Sequence, residues 1–315
     1  MTQFVLHIGT HKTGSSLLQQ FLLKNRDALR KQGIDIPILA SRSGAKVHNH
    51  IASFFRGLDT PYYDEVTALV AKGISDLPQC LISSENLYWC NTRDMVAGVR
   101  DVFPADTRII CHFRTPASHA VSMWKQLLKG KRKCNSLPDY LATATEELTQ
   151  GISYYCYDPS MAHWRSFFAD TTAAPYTPQD NRAFVRSFFD TCRLPLQISD
   201  EMIFPEAVNV SVPDEASVLM LRLNRMLAAD QITSEVRDRL ASKILKNATV
   251  FAAQVAPHAR WETVDLGAFN QAFAKNSPIL AAALPAPKSK ITFPSDLSLS
   301  DNEIREILKA KLKPE

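Results

Sequence analysis

The sequence predicts an α/β fold: a parallel sheet flanked by helices, with a helical elaboration toward the C-terminal end. Three observations carry that expectation. Short apolar runs alternate with amphipathic, helix-length segments through the first two-thirds of the chain, which is the pattern of successive βα units. Those apolar runs show little polar alternation, as strands buried on both faces do. From about residue 212 the periodicity becomes helical alone. The chain has 315 residues, of which 45% are hydrophobic and 22% charged. That length suits a single large domain, with residues 1–211 as its core and 212–315 as a helical elaboration and tail of the same domain.

The elements follow in order. Phe4, Val5, Leu6 and Ile8 form a short buried strand that ends at Gly9. The chain then passes through Thr10-His11-Lys12-Thr13-Gly14-Ser15-Ser16 into a helix carrying Leu17, Leu18, Phe21 and Leu22. Strand, glycine-bounded loop and helix in this order make a phosphate cradle, since loop amides and first-turn amides have no intrahelical partner and face an anion together. The loop is of P-loop type but departs from the Walker A pattern GxxxxGK[ST]. Gly9 and Gly14 keep the spacing, Ser15 takes the lysine position, and Lys12 sits inside the loop. Gly33–Pro37 reads as a second short strand, followed by a loop and a helix to about residue 76. Cys80–Ser84 is a third strand, with Glu85 where it emerges at its carboxyl end, the edge at which open parallel sheets bind ligands.

Arg108–Phe113 is a fourth strand with Arg114 at its end, and Pro116 is well placed to start the helix after it. Pro213-Asp214-Glu215 is a helix start, and Val218, Leu219, Leu221, Leu223, Met226 and Leu227 form an apolar stripe. A second helix is expected from Ser234 to Val255. Pro278, Pro285, Pro287 and Pro294 then break the chain into a loop-rich tail, closed by a short helix from about Ser300.

The displaced lysine and the second basic site together resemble the sulfotransferases that use 3′-phosphoadenosine 5′-phosphosulfate (PAPS), in the bacterial carbohydrate-type branch. In that family a lysine, one or two small residues, glycine and paired Ser/Thr open the first helix and hold the 5′-phosphosulfate. The resemblance implies that His11, Lys12, Thr13, Gly14, Ser15 and Ser16 bind the donor. Arg114 and Ser122, eight residues apart, match the R-x-P-x-x-x-x-x-S pattern that holds the 3′-phosphate. A donor with two separate anionic groups needs two cradles on neighbouring strand ends, one with a permanently charged guanidinium. Tyr176 matches a tyrosine lying near the adenine, although Thr177 replaces the acidic residue that usually follows. Leu17 stands where cytosolic members carry an aromatic, which argues against the cytosolic small-molecule branch.

Glu85 matches the glutamate that deprotonates the acceptor in carbohydrate and tyrosine sulfotransferases. Two other roles fit it at this level: a Walker-B-like acid binding magnesium, and an N-cap partner for the segment from Asn86. The implied function is transfer of the sulfuryl group of PAPS to an acceptor hydroxyl of a carbohydrate or glycolipid, with Lys12 and Glu85 catalytic and 3′-phosphoadenosine 5′-phosphate as product. No metal is expected, because a sulfuryl group carries less charge than a phosphoryl group. The alternatives are a P-loop small-molecule kinase and a nucleotide-binding relative without activity.

Composition sets further limits. No apolar run approaches the ~20 residues of a membrane span, and the loop begins so soon after Met1 that no signal segment is expected, which points to the cytoplasm. The six cysteines show no CxxC pairing, and Cys80 and Cys111 fall in buried strands, so reduced structural thiols are expected. Net charge is +4, without the aromatic interleaving or motifs of nucleic-acid binding. Lys125, Lys129, Lys131, Arg132 and Lys133 form a basic cluster that is either a solvated face or the border of a cleft for an acidic acceptor. His48 and His50 are secondary candidates for lining the acceptor site.

Overall fold

The computed structural model describes residues 2–37, 48, 51–56, 77–130, 132–176, 180–205 and 212–309. Among these, the first half runs β1 (Gln3–His7), α1 (Ser15–Lys24), α2 (Arg26–Lys31), β2 (Ile34–Asp35), α3 (Ile51–Phe55), β3 (Gln79–Ser83), a 3₁₀ turn (Glu85–Trp89), α4 (Arg93–Val102) and β4 (Arg108–Phe113). There follow α5 (Pro116–Gly130), α6 (Leu137–Thr149), α7 (Tyr157–Phe167), β5 (Thr171–Pro175) and α8 (Asn181–Thr191). The chain closes with α9 (Asp214–Ala228), α10 (Ser234–Lys246), α11 (Ala248–Val255), β6 (Ala259–Asp265), α12 (Gly267–Asn276), α13 (Pro278–Ala283), β7 (Lys290–Leu297) and α14 (Asp301–Lys309).

The fold is α/β, with a five-stranded parallel sheet in the order β2-β3-β1-β4-β5. β1 is central, and Phe4, Val5 and Leu6 are all buried, which is why its sequence is a continuous apolar run. In register, His7 stands beside Ser83 of β3 and Ile110 of β4. Parallel pairing therefore sets the carboxyl ends of β1, β3 and β4 side by side on one edge.

The chain divides into two compact units: residues 1–115, 154–209 and 274–286 in the first, and 116–153, 210–273 and 287–315 in the second. The first unit holds the sheet and one apolar core, in which Val5, Leu81 and Ile110 meet Leu18, Phe21 and Leu22 of α1 and Val185, Phe188 and Phe189 of α8. Each such side chain contributes about 1.5–3 kcal/mol on burial. Asp180 starts α8 by accepting from the amides of Arg182 and Ala183, both at 2.9 Å. The short α13 is begun by Asp158, whose carboxylate accepts from the Ile279 amide at 2.7 Å.

The second unit is built around α9, where Val218, Leu219, Leu221, Leu223 and Met226 are buried as their stripe predicts. Here the structure differs from expectation twice. The helix expected over Ser234–Val255 breaks at Asn247 into α10 and α11. The tail is also not loop alone: β6 and β7 pair antiparallel. Pro294 hid β7. It faces Trp261 at a register shift between Arg260 and Trp261, the kind of irregular position where a missing N–H is tolerated. Of the helix expected to about residue 76, the stretch 57–76 lies outside the described residues. No described helix is long and apolar enough to cross a membrane. All six cysteines are free, and burial pushes the Cys111 thiol up.

Candidate active site

The loop after β1 is tied to β4 and closed on itself. Ile8 N–H donates to the Ile110 carbonyl at 2.9 Å, and the amide and hydroxyl of Thr10 both donate to the His112 carbonyl, at 3.3 and 3.0 Å. The Thr13 hydroxyl closes the turn on the Thr10 carbonyl at 2.6 Å. Two residues then turn the chain through the left-handed region, Lys12 at φ 68° and Gly14 at φ 77°. For Lys12 that conformation costs roughly 1–2 kcal/mol, the kind of local strain that clusters at functional sites. At Gly14 no side chain fits, since a Cβ would lie 2.8 Å from the Phe184 ring and 3.2 Å from that of Tyr176. The first backbone bond of α1 runs from Leu18 N–H to the Gly14 carbonyl at 3.0 Å. The amides of Ser15, Ser16 and Leu17 thus precede the helical ladder, as an anion cradle requires.

Arg114, at the end of β4, extends to this loop: its Nη1 donates to the Lys12 carbonyl at 3.4 Å. Burial pulls the guanidinium below its usual value, opposed by the nearby phenols of Tyr176 and Tyr157. Tyr176 is fixed by its own amide, which donates to the Phe113 carbonyl at 2.5 Å, and by an edge contact with Phe184. The structure so gathers Lys12, Gly14, Arg114 and Tyr176 at one strand edge. Ser122 lies on α5, in the second unit, half-buried.

Glu85 opens the 3₁₀ turn after β3 and is only 5% exposed. Ser84 occupies the N-cap position, and the Glu85 carboxylate turns to the loop instead. Its Oε2 accepts from the Ser15 hydroxyl, and its Oε1 lies 3.5 Å from His11 Nδ1. The other ring nitrogen of His11, Nε2, accepts from Trp89 Nε1–H at 2.8 Å. The His11 amide donates to the Tyr154 hydroxyl at 2.9 Å. The Trp89 and Tyr154 rings lie 4.5 Å apart, and the His11 ring stacks on Tyr154. Trp89 and Tyr154 were not legible as site residues. The one signal for them is that aromatics crowd next to Glu85 and in the run Tyr154-Tyr155-Cys156-Tyr157.

Comparison with protein-family models, with curated proteins and with solved structures finds no match to this chain.

Two other sequence candidates resolve differently. His48 is fully buried and structural: its Nε2 donates to the Pro37 carbonyl at 2.8 Å, while its Nδ1 accepts from the Ser83 amide at 3.0 Å. It does not line an open site, and His50 lies outside the described residues. In the basic cluster, Lys125 pairs with Asp214 and donates to the Val212 carbonyl at 2.9 Å, and Arg132 pairs with Asp238 at 2.5 Å. Those two charges are taken within the second unit. Lys131 lies outside the described residues. No cluster of three or more His, Cys, Asp or Glu suited to a metal ion occurs among the described residues.

Proposed function

We propose that this chain is a PAPS-dependent sulfotransferase acting on a hydroxyl of a carbohydrate or glycolipid. The observation that carries the reading is the Arg114–Lys12 contact. It sets a guanidinium on the backbone of a cradle whose own lysine is held by a left-handed turn, so two anion-binding elements share one sheet edge. A nucleotide with phosphate groups at both its 3′ and 5′ positions calls for such a pair. A nucleoside triphosphate does not, since its charges lie along one chain.

In this reading Lys12 and the amides of Thr13, Gly14, Ser15 and Ser16 stabilise the charge that builds on the leaving phosphate. Arg114 holds the 3′-phosphate, and the donor stays in register for in-line attack. Glu85 takes the proton of the acceptor hydroxyl, a contribution of about 10²–10⁴-fold. One of its oxygens accepts from the Ser15 hydroxyl and the other lies 3.5 Å from His11 Nδ1, and a carboxylate retains further lone-pair sites for the acceptor. The Ser15–Glu85 contact also favours a second reading, a kinase in which that pair would hold magnesium.

The test is transfer from labelled PAPS across neutral and acidic glycans, glycolipids and phenols, without added metal. Labelled product with one acceptor class is the expected result. PAPS left intact with every acceptor, together with phosphate transfer from ATP and magnesium, overturns the proposal in favour of the kinase.

A further inference from the structure

We propose that His11 is a positioning residue for Glu85, held by Trp89 in the tautomer that carries its proton on Nδ1. This rests on the sulfotransferase reading only for its effect on turnover; the tautomer itself follows from the contacts. An indole N–H can donate and cannot accept. Trp89 Nε1 lies 2.8 Å from His11 Nε2, so Nε2 is the acceptor and bears no proton. In neutral imidazole the proton is then on Nδ1, the nitrogen 3.5 Å from Glu85 Oε1. This is the less common tautomer of free histidine, so its presence would report the lock directly.

The surrounding contacts fix both ends. The Tyr154 hydroxyl holds the backbone of His11 at 2.9 Å, and the two rings stack with 6.1 Å between centroids. Tyr154 also packs on Trp89, whose ring has the Arg56 guanidinium over it at 5.7 Å. On the other side of the carboxylate, the Ser15 hydroxyl holds Oε2. Glu85 is thus steered through one oxygen by the first residue of α1 and through the other by the loop. His7 of β1 is a further titratable group that senses the Glu85 charge, and its own Nδ1 is already engaged with the Ser83 hydroxyl at 2.9 Å. His11 aims the base without touching the acceptor.

The test combines a spectroscopic and a kinetic reading. In the labelled full-length chain, ¹⁵N–¹H correlation of the imidazoles at neutral pH should show His11 as the Nδ1–H tautomer, and Trp89→Phe should redistribute it toward Nε2–H. His11→Ala should lower kcat by about 10-fold or more, a part of the general-base factor. His11→Asn, whose amide N–H stands near the Nδ1 position, should restore much of the loss. His11→Gln, which places its amide near Nε2, should not. An Nε2–H tautomer in the wild type overturns the proposal whatever the activity, as does equal rescue by Asn and Gln. A wild-type chain that shows the Nδ1–H tautomer and binds the bisphosphate but transfers nothing overturns the catalytic reading and the positioning role with it. Loss of bisphosphate binding in the wild type instead marks failure of the sulfotransferase assignment itself.

Discussion

The strand edge of the first unit and the α5–α9–α10 junction of the second use positive charge in opposite ways. At the junction, Arg237, Lys125, Arg132 and Arg222 each end on acceptors inside their own unit. Arg237 is 4% exposed and donates to Asn224 Oδ1 at 2.9 Å and to the carbonyls of Leu128 and Lys129 at 2.7 and 3.2 Å, capping the end of α5. Lys125, Arg132 and Arg222 pair with Asp214, Asp238 and Asp301. At the strand edge, Lys12 sits in a left-handed turn and Arg114 rests on a loop carbonyl. Density of basic residues in the sequence therefore does not mark a site. The Lys125–Lys133 cluster is the densest, yet part of it serves the fold, whereas one lysine in a strained loop carries the proposed chemistry.

The contrast breaks first at Lys12. Lys12→Ala should lower kcat by about 10²–10³-fold, the loss typical of removing one donor at a developing anion, with the thermal midpoint little changed. Steady-state kinetics and melting on one preparation check this, and near-normal turnover would remove Lys12 from the chemistry. Arg237→Ala should do the reverse in kind. It leaves the Leu128 and Lys129 carbonyls without their charged donor and should cost about 2–4 kcal/mol of stability in urea denaturation.

A third test lies beneath the loop. Burial lowers His7 to about 3 and His112 to about 4, with the charge of His112 adding to the fall at His7. Both are neutral in the folded chain and take protons on unfolding once pH drops below their unfolded value of about 6.5. Stability is then undiminished above pH 6.5 and falls with pH toward 4 and 3, by about 2 kcal/mol for each histidine between pH 7 and pH 5. His112→Phe should roughly halve that loss, read from urea midpoints at the two pH values; an unchanged loss would mean that His112 is not buried neutral. The smallest effect is expected at the cluster. Replacing Lys129, Lys131 and Lys133 with glutamine should raise acceptor KM a few-fold and flatten its salt dependence if the acceptor is acidic. Unchanged acceptor kinetics would leave the cluster a solvated face.

These differences also explain what the sequence made legible. β1, its loop and α1 could be read because their signals are local: Phe4–Leu6 is unbroken, and Gly14 occupies a turn that no side chain could take. Arg114 was legible for the same reason, standing where an apolar strand stops. The Ser15–Glu85 contact was not, because it joins residues 70 positions apart and depends on the parallel register of β1 with β3. Tyr154 was missed because its hydroxyl meets a backbone N–H, which leaves no mark in residue type. Arg237 was not legible either, since nothing local distinguishes an arginine that caps a distant helix. The β6–β7 pair was masked by Pro294 and by strands that bury few of their side chains.

The central claim is that Lys12's loop and Arg114 form one site for a nucleotide with separated anionic groups. Metal-free calorimetric titration with 3′-phosphoadenosine 5′-phosphate and with adenosine 5′-monophosphate, on the wild type and on Arg114→Ala, tests it most directly. The bisphosphate should bind the wild type about 10–100-fold more tightly, equivalent to roughly 1.4–2.8 kcal/mol for a charge-assisted contact, and Arg114→Ala should erase most of that difference while leaving the monophosphate unaffected. Equal binding of the two nucleotides to the wild type, or a preference for ATP with magnesium over both, would contradict it.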